Sequence, residues 1–336
     1  MHEENENKNL ETDNIEENSN PEIIHEDYDE DQYGFSLKRD IHPRLSPYAV
    51  AFISLFGGFI AYQVLGAILM VLIFGFDLEN APANGMRLIT MAGEILFMLL
   101  PALIFTKMVY EDVTNFIRAH SAKLIEIALF MSGLIVLFFL FQDYLYIQDF
   151  VINKLAAHSG IVQSVKSAFD SLNDSVEKTY LNLITPHNFF DKILIVIVIA
   201  LVPAICEEIL FRGLVQRSLE MKLKPLWAAL ITGLFFGLFH VNPYALIPLV
   251  ALGFYFGFAV YKSNSILVSM ILHFTNNFIS VILFFIIGNE DLINSNVKGD
   301  IDLRSSLSLF VVFLGLFIGI IFLINWYYSR KKISWR

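Results

Sequence analysis

The stretch Pro203-Ala204-Ile205-Cys206-Glu207-Glu208-Ile209-Leu210-Phe211-Arg212-Gly213 decides how this chain is read. It continues the unbroken apolar run from Ile193 to Val202, so two carboxylates and an arginine enter a segment that otherwise belongs in lipid. A charge at membrane depth costs at least about 2.5–3.5 kcal/mol. Such residues are kept because they pair or because they do chemistry. Successive helical residues turn by about 100°. Glu208 and Arg212, spaced i and i+4, therefore share a face and are expected to pair. Glu207 lies about 140° from Arg212 and points elsewhere. A structural ion pair accounts for Glu208 and Arg212 but not for Glu207.

Outward from this stretch, the composition is that of a membrane protein. The chain has 336 residues, 56% of them hydrophobic, with 32 phenylalanines. Soluble domains run nearer 45–50% apolar. Several runs approach the roughly 20 residues needed to cross a bilayer as a helix. The alternating ten-residue segments of a porin-like barrel are absent from the sequence. The expected fold is all-α, a polytopic membrane bundle of about eight transmembrane helices. The spans fall at about 48–76, 88–109, 122–142, 190–211, 226–241, 243–261, 264–287 and 306–328. Cys206 is the single cysteine, so no intrachain disulfide can form.

Charge supports this partition. Residues 1–44 hold 14 acidic residues against Lys8, Lys38, Arg39 and Arg44, which accounts for the whole net charge of −10. They read as a disordered acidic tail, and nothing in them has the pattern of a signal peptide. Basic residues fall before the first span and after the second (Lys107, Arg118, Lys123), fourth (Arg217, Lys222, Lys224), sixth (Lys262) and eighth (Arg330, Lys331, Lys332, Arg336). The alternate loops are acidic on balance. The positive-inside rule places both termini and every basic loop in the cytoplasm. The membrane domain is expected over 45–329, with a basic C-terminus at 330–336. The one long outer loop, 143–189, carries Ile161, Val165, Phe169, Leu172, Val176 and Tyr180 at three- and four-residue steps. It is expected to hold an amphipathic helix, as a cap or at the interface.

Further polar groups lie within later spans: His240 in Phe236-Gly237-Leu238-Phe239-His240, and His273 with Asn277 in His273-Phe274-Thr275-Asn276-Asn277. One histidine on an apolar helix is ordinarily a packing residue. Two histidines, an asparagine and a glutamate change that judgement if they can meet. Glu207 is 16 residues before the hairpin tip near residue 223 and His240 is 17 after it, which puts them at nearly equal depth. The depths of His273 and Asn277 are compatible. One cavity lined by all four and reached from the cytoplasmic side is expected.

These residues resemble a family. Glu207-Glu208-x-x-x-Arg212, Phe236-x-x-x-His240 and His273-x-x-x-Asn277 are similar to the three ordered motifs of the CPBP intramembrane proteases. That group comprises the type II CAAX prenyl endopeptidases and their bacteriocin-processing and abortive-infection relatives. The resemblance covers about residues 190–285 and shows no departure within the motifs. It implies hydrolysis of a peptide bond by glutamate-activated water. Glu207 would then activate the water and His240 assist it. His273 and Asn277 would stabilise the oxyanion. Glu208, Arg212 and Phe236 would support them. It implies no cofactor, a membrane-associated or lipidated peptide or protein as substrate in the lipid bilayer, and no nucleic acid. The breadth of the family and the Ile-, Asn- and Phe-rich composition point to a bacterial inner membrane. Two other readings stay open. Glu207, His240 and His273 are a donor set that suits catalytic zinc. Intramembrane Glu and His also serve proton-coupled transport, and a silent immunity or scaffold role is a further alternative. Glu94, in the second span, belongs to no motif.

Overall fold

A computed structural model describes residues 43–77, 81–287 and 302–333. Among them there is no strand. The helices are α1 (Pro47–Phe74), α2 (Ala83–Tyr110), α3 (Val113–Phe116), α4 (Leu124–Ala156), α5 (Gly160–Ile184), α6 (Phe189–Glu220), α7 (Pro225–Phe239), α8 (Leu246–Ser263), α9 (Ile266–Ile287) and α10 (Leu303–Ile333). Seven are long and apolar enough to cross a membrane. With α7, at 15 residues, the bundle has the roughly eight membrane helices expected. The acidic tail, save residues 43 and 44, and the last outer loop lie outside the described residues.

Sequence sets many of the helix ends. Pro47 and Pro225 stand in the first turns of α1 and α7, where no N–H is required. Gly75, at φ 77°, ends α1, and Asn264, at φ 55°, ends α8 in the left-handed region. Glu126 closes the first turn of α4 by accepting from the Lys123 N–H at 3.0 Å. One boundary differs from expectation. The third span does not stop near 142: α4 runs on to Ala156, because the charges at Asp143, Asp149 and Lys154 are spread through a helix rather than a loop. The amphipathic helix of the outer segment is α5, as its three- and four-residue apolar steps predict.

Polar contacts gather at the two ends of the bundle. At the basic end, Arg118 pairs with Glu220, Lys331 with Glu126 at 2.7 Å, and Arg44 with Glu111 at 3.2 Å. The Ile266 N–H donates to the Arg118 carbonyl at 3.0 Å. At the opposite end, the buried Arg87 donates to the carbonyls of Leu183 and Thr185 at 2.8 and 2.6 Å. Asn84 donates to Asp191 at 2.9 Å, and Tyr244 donates to Asp170 at 2.5 Å. The C-terminal end of α5 is thereby tied to α2, and its middle to the turn after α7. Among the described residues the helices meet in three apolar clusters, two of them large. Of the large ones, one joins α1, α2, α6 and α7 around Phe211, Leu214 and Phe236; the other joins α4, α8, α9 and α10 around Phe130, Tyr255 and Phe256. Outward faces such as Ile104, Val311 and Phe322 remain exposed, as a lipid solvent requires.

Helices α7 and α8 approach each other closely at their glycines. A Cβ on Gly233 would stand 2.6 Å from the Phe254 nitrogen, and one on Gly253 would stand 2.9 Å from the Gly233 Cα. Only glycine allows this approach. It fixes the end of α7, and with it His240, against α8.

Candidate active site

The site is built where α6 departs from regular helix. Residues 196–201 and 209–216 are π-helical, and Glu207 and Glu208 lie between these two segments. Tyr62 and Gln63 lie in a π segment of α1, and Met98 in one of α2. Such turns concentrate at functional sites because they redirect a side chain without ending the helix. Here the three helices aim theirs at one cavity.

Glu208 faces away from it. Its side chain is fully buried, and Oε1 accepts from Arg212 at 2.8 Å and from His273 Nδ1 at 2.9 Å. The i,i+4 pair expected from sequence is present. The third partner, His273, is the addition. A carboxylate only accepts when ionised, so the ring carries its proton on Nδ1. Arg212 also donates to the Gly253 carbonyl at 3.0 Å and lies 4.5 Å from the Phe236 ring centre. The His273 ring stacks on Phe256 with centroids 5.4 Å apart. The two opposite charges of this cluster pair with each other, while Glu208 Oε2 and Arg212 Nε have no hydrogen-bond partner among the described residues.

Glu207 turns towards a cavity of about 460 Å³ whose walls include Tyr62, Gln63, Met98, Thr179, Tyr180 and His240. Its Oε2 is buried and hydrogen-bonds to no described residue. Glu94 lies close enough to Glu207 to interact with it electrostatically and is hydrogen-bonded to Tyr62. Glu94, which no motif claimed, is thus a second carboxylate beside the first. Tyr62 and Thr179 gave no sequence signal of their own, and Tyr180 was visible only as part of an amphipathic stripe.

His240 sits where α7 ends. Its Nδ1 is 2.7 Å from the Phe236 carbonyl. A carbonyl cannot donate, so Nδ1 bears the hydrogen and the neutral ring keeps its lone pair on Nε2. Val241 follows at φ 51°, a conformation costly for a β-branched residue. That turn breaks the chain away from the helix axis. Gln63 fastens it by donating to the Phe239 carbonyl at 2.9 Å.

The predicted residues thus fall into two groups. Glu207 and His240 share a cavity, as their equal depth requires. His273 is 2% exposed and bound to Glu208. Asn277 donates to the Ile199 carbonyl at 3.0 Å. Neither is among the residues lining that cavity. Access from the basic end, expected from depth alone, does not match the lining. The walls come from α5, the middle of α1, α2 and α6, and the turn 239–241, towards the opposite end. The cause is the shortness of α7, which lets that turn and α5 approach Glu207. Among the described residues no group of three or more His, Cys, Asp or Glu is placed to hold a metal ion. Glu207, His240 and His273 do not converge as a ligand set, and His273 Nδ1 is already taken by Glu208.

No curated protein and no solved structure matches the chain. A family model does, over residues 189–279, from the first turn of α6 to just past Asn277 in α9. That segment contains all three motifs, the whole of α6, α7 and α8, and α9 as far as residue 279. Its description is type II CAAX prenyl endopeptidase Rce1-like, so residues 189–279 of the chain match an Rce1-like domain.

Proposed function

We propose that this protein is an intramembrane endopeptidase in which Glu207 activates the attacking water. The observation that carries the reading is the division of labour between adjacent carboxylates. Glu208 is consumed by Arg212 and His273, while Glu207 opens into a cavity shared with His240. A water held between the Glu207 carboxylate and the lone pair of His240 Nε2 would give its proton to Glu207 as its oxygen attacks the scissile carbonyl. The tetrahedral intermediate collapses when that proton passes to the leaving amine. One water is consumed, and a carboxylic acid and an amine are released. Pinning Nδ1 to the Phe236 carbonyl fixes the ring and leaves Nε2 as its free nitrogen.

His273 and Asn277 take the oxyanion role that the family resemblance implies only if they turn towards the cavity. Glu208 occupies Nδ1 and leaves Nε2 as the one free ring nitrogen of His273. Asn277 would exchange the Ile199 carbonyl for the oxyanion as substrate enters. One fixed donor of this kind is worth about 3–4 kcal/mol to a developing oxyanion. The substrate is a membrane-associated or hydrophobic peptide, since Glu207 stands in a helix long and apolar enough to cross a membrane.

The test is cleavage of a panel of hydrophobic and lipidated peptides by the full chain in lipid nanodiscs. Wild type, Glu207→Gln and Glu208→Gln are compared with and without a chelator. Chelator-resistant cleavage, abolished in folded Glu207→Gln, supports the mechanism. Loss on chelation with recovery on adding zinc overturns it. Cleavage that survives Glu207→Gln does so too.

A further inference from the structure

Attack of water on a carbonyl places a negative charge on its oxygen, which a fixed hydrogen-bond donor must meet. His273 and Asn277 do not line the Glu207 cavity. Most donors that do line it are spent. Thr179 and Ser175 give their hydroxyl protons to the carbonyls of Ser175 and Ser171, each at 3.0 Å. Gln63 commits its amide nitrogen to the Phe239 carbonyl, and His240 Nδ1 is held by Phe236. The backbone N–H groups of His240 and Val241 donate to the Gly237 and Leu238 carbonyls at 3.3 and 3.2 Å. Of the hydroxyls on the lining, the phenols of Tyr62 and Tyr180 remain. Tyr62 is the one within electrostatic reach of Glu207.

Tyr62 is hydrogen-bonded to Glu94, and the direction of that bond decides what the phenol does. A phenol both donates and accepts. An ionised Glu94 only accepts, so it would hold the phenol proton. A neutral Glu94 donates to the phenol oxygen and frees the phenol O–H for the cavity. Glu94 is 4% exposed, and its Oε2 hydrogen-bonds to no described residue. Among the described residues, Glu207 and Tyr62 act on it, and neither is a cation. Arg212, by contrast, acts on Glu207. Two carboxylates that repel each other in a dry site share a proton. The one within reach of a cation keeps the charge, so the proton rests on Glu94. Helix geometry serves the same end. Tyr62 lies in the π segment of α1, and Glu94 is the last residue before the π segment of α2.

We propose that the Tyr62 hydroxyl is the oxyanion donor of this site, and that neutral Glu94 positions it by donating to the phenol oxygen. The inference rests on the proteolytic reading of Glu207 and His240. Ionised Glu207 and neutral Glu94 are one state of the pair, so the base and the donor are ready together. Tyr62 donates to the carbonyl oxygen as the tetrahedral intermediate forms. No covalent bond to Tyr62 or Glu94 is made or broken, and both are unchanged when the amine leaves.

The test uses the full chain in nanodiscs and a peptide that wild type cleaves, with kcat and KM measured separately. Tyr62→Phe should lower kcat about 100-fold or more and change KM little. Glu94→Leu withdraws the donor behind the phenol and should lower kcat about tenfold or more. Glu94→Gln, whose amide N–H still donates, should lose markedly less than Glu94→Leu. The double variant Tyr62→Phe/Glu94→Leu removes both partners of the bond, so it keeps the fold. Its kcat should equal that of Tyr62→Phe, because Glu94 acts through Tyr62. Losses that multiply in the double variant overturn the positioning role of Glu94. Wild-type kcat in folded Tyr62→Phe or in the double variant overturns the proposal, while an inactive Glu207→Gln beside it leaves the proteolytic reading intact. A rise in KM alone overturns it as well, since that makes Tyr62 a contact of the bound substrate. If wild type cleaves no peptide of the panel, the proteolytic reading and this inference fall together.

Discussion

Asn277 donates its side-chain N–H to the carbonyl of Ile199 at 3.0 Å. Four residues beyond Ile199 stands Pro203, which has no N–H to give. In water such a carbonyl would be hydrated. In the bilayer it must find a protein donor, and α9 supplies one. The motif residue Asn277 therefore has a structural task that its sequence position conceals.

This relationship gives the first prediction. Asn277→Leu should destabilise the protein by about 1–3 kcal/mol, the cost of a buried acceptor left unsatisfied. Pro203→Ala restores a backbone donor and should recover part of that loss in the double variant. A double-mutant cycle of thermal unfolding in detergent measures the coupling. Additive effects would show that the two residues do not share the Ile199 carbonyl. If Asn277 also serves the oxyanion, the double variant regains stability without regaining turnover.

The adjacent glutamates should fail in different ways. Glu208→Gln leaves Arg212 buried beside a neutral amide, and breaking a buried pair costs about 3–5 kcal/mol. Its unfolding temperature should fall steeply. Glu207→Gln removes no described hydrogen bond, so its unfolding temperature should stay near that of wild type while cleavage is lost. The reverse pattern would exchange their roles.

Much of this was legible in the sequence, and the rest was hidden for definite reasons. The i,i+4 spacing of Glu208 and Arg212 determines their pairing within one helix. The nearly equal distances of Glu207 and His240 from the α6–α7 tip determine their common depth. Both are properties of a single helix or hairpin. His273 had a choice of two adjacent carboxylates, and the rotation of α9 against α6 decided it. The apolar stripe of α5 announced a helix. It did not announce that Val176 and Tyr180 would enter the bundle while Ile161, 79% exposed, would not. Glu94 was visible as an intramembrane carboxylate, but its neighbours Tyr62 and Glu207 come from two other helices.

Phe236 holds the two histidines apart. Its ring centre is 4.9 Å from that of His240 and 5.7 Å from that of His273, with the Arg212 guanidinium against it. Phe236→Leu removes the cation–π contact and the spacer together. The expected result is a loss of about 1–3 kcal/mol in stability and a larger proportional fall in kcat than in KM. Unfolding curves and steady-state kinetics on one peptide separate the two. A rise in KM alone would place Phe236 in the substrate path.

The tie between α5 and the turn after α7 should respond to acid. Burial pushes the Asp170 carboxyl up, but its hydrogen bonds from Lys166 and Tyr244 outweigh this and hold it below the usual range. Burial and the bond to Asp170 raise the Tyr244 hydroxyl, which therefore stays a donor throughout. A depressed carboxyl stabilises the fold fully above its unfolded value of about 3.9 and ceases to do so as pH falls through the folded value. Stability from this tie is thus constant at neutral pH and is lost only below about pH 4. Asp170 is partly exposed, so its ion pair contributes no more than about 1 kcal/mol. Tyr244→Phe should reproduce the acid state at neutral pH. Hydrogen exchange across 163–180 should quicken in that variant, and in wild type only on acidification. The same segment carries Thr179 and Tyr180 into the wall of the Glu207 cavity, so peptide turnover should fall as exchange rises. Faster exchange with unchanged turnover would show that α5 covers the site without shaping it.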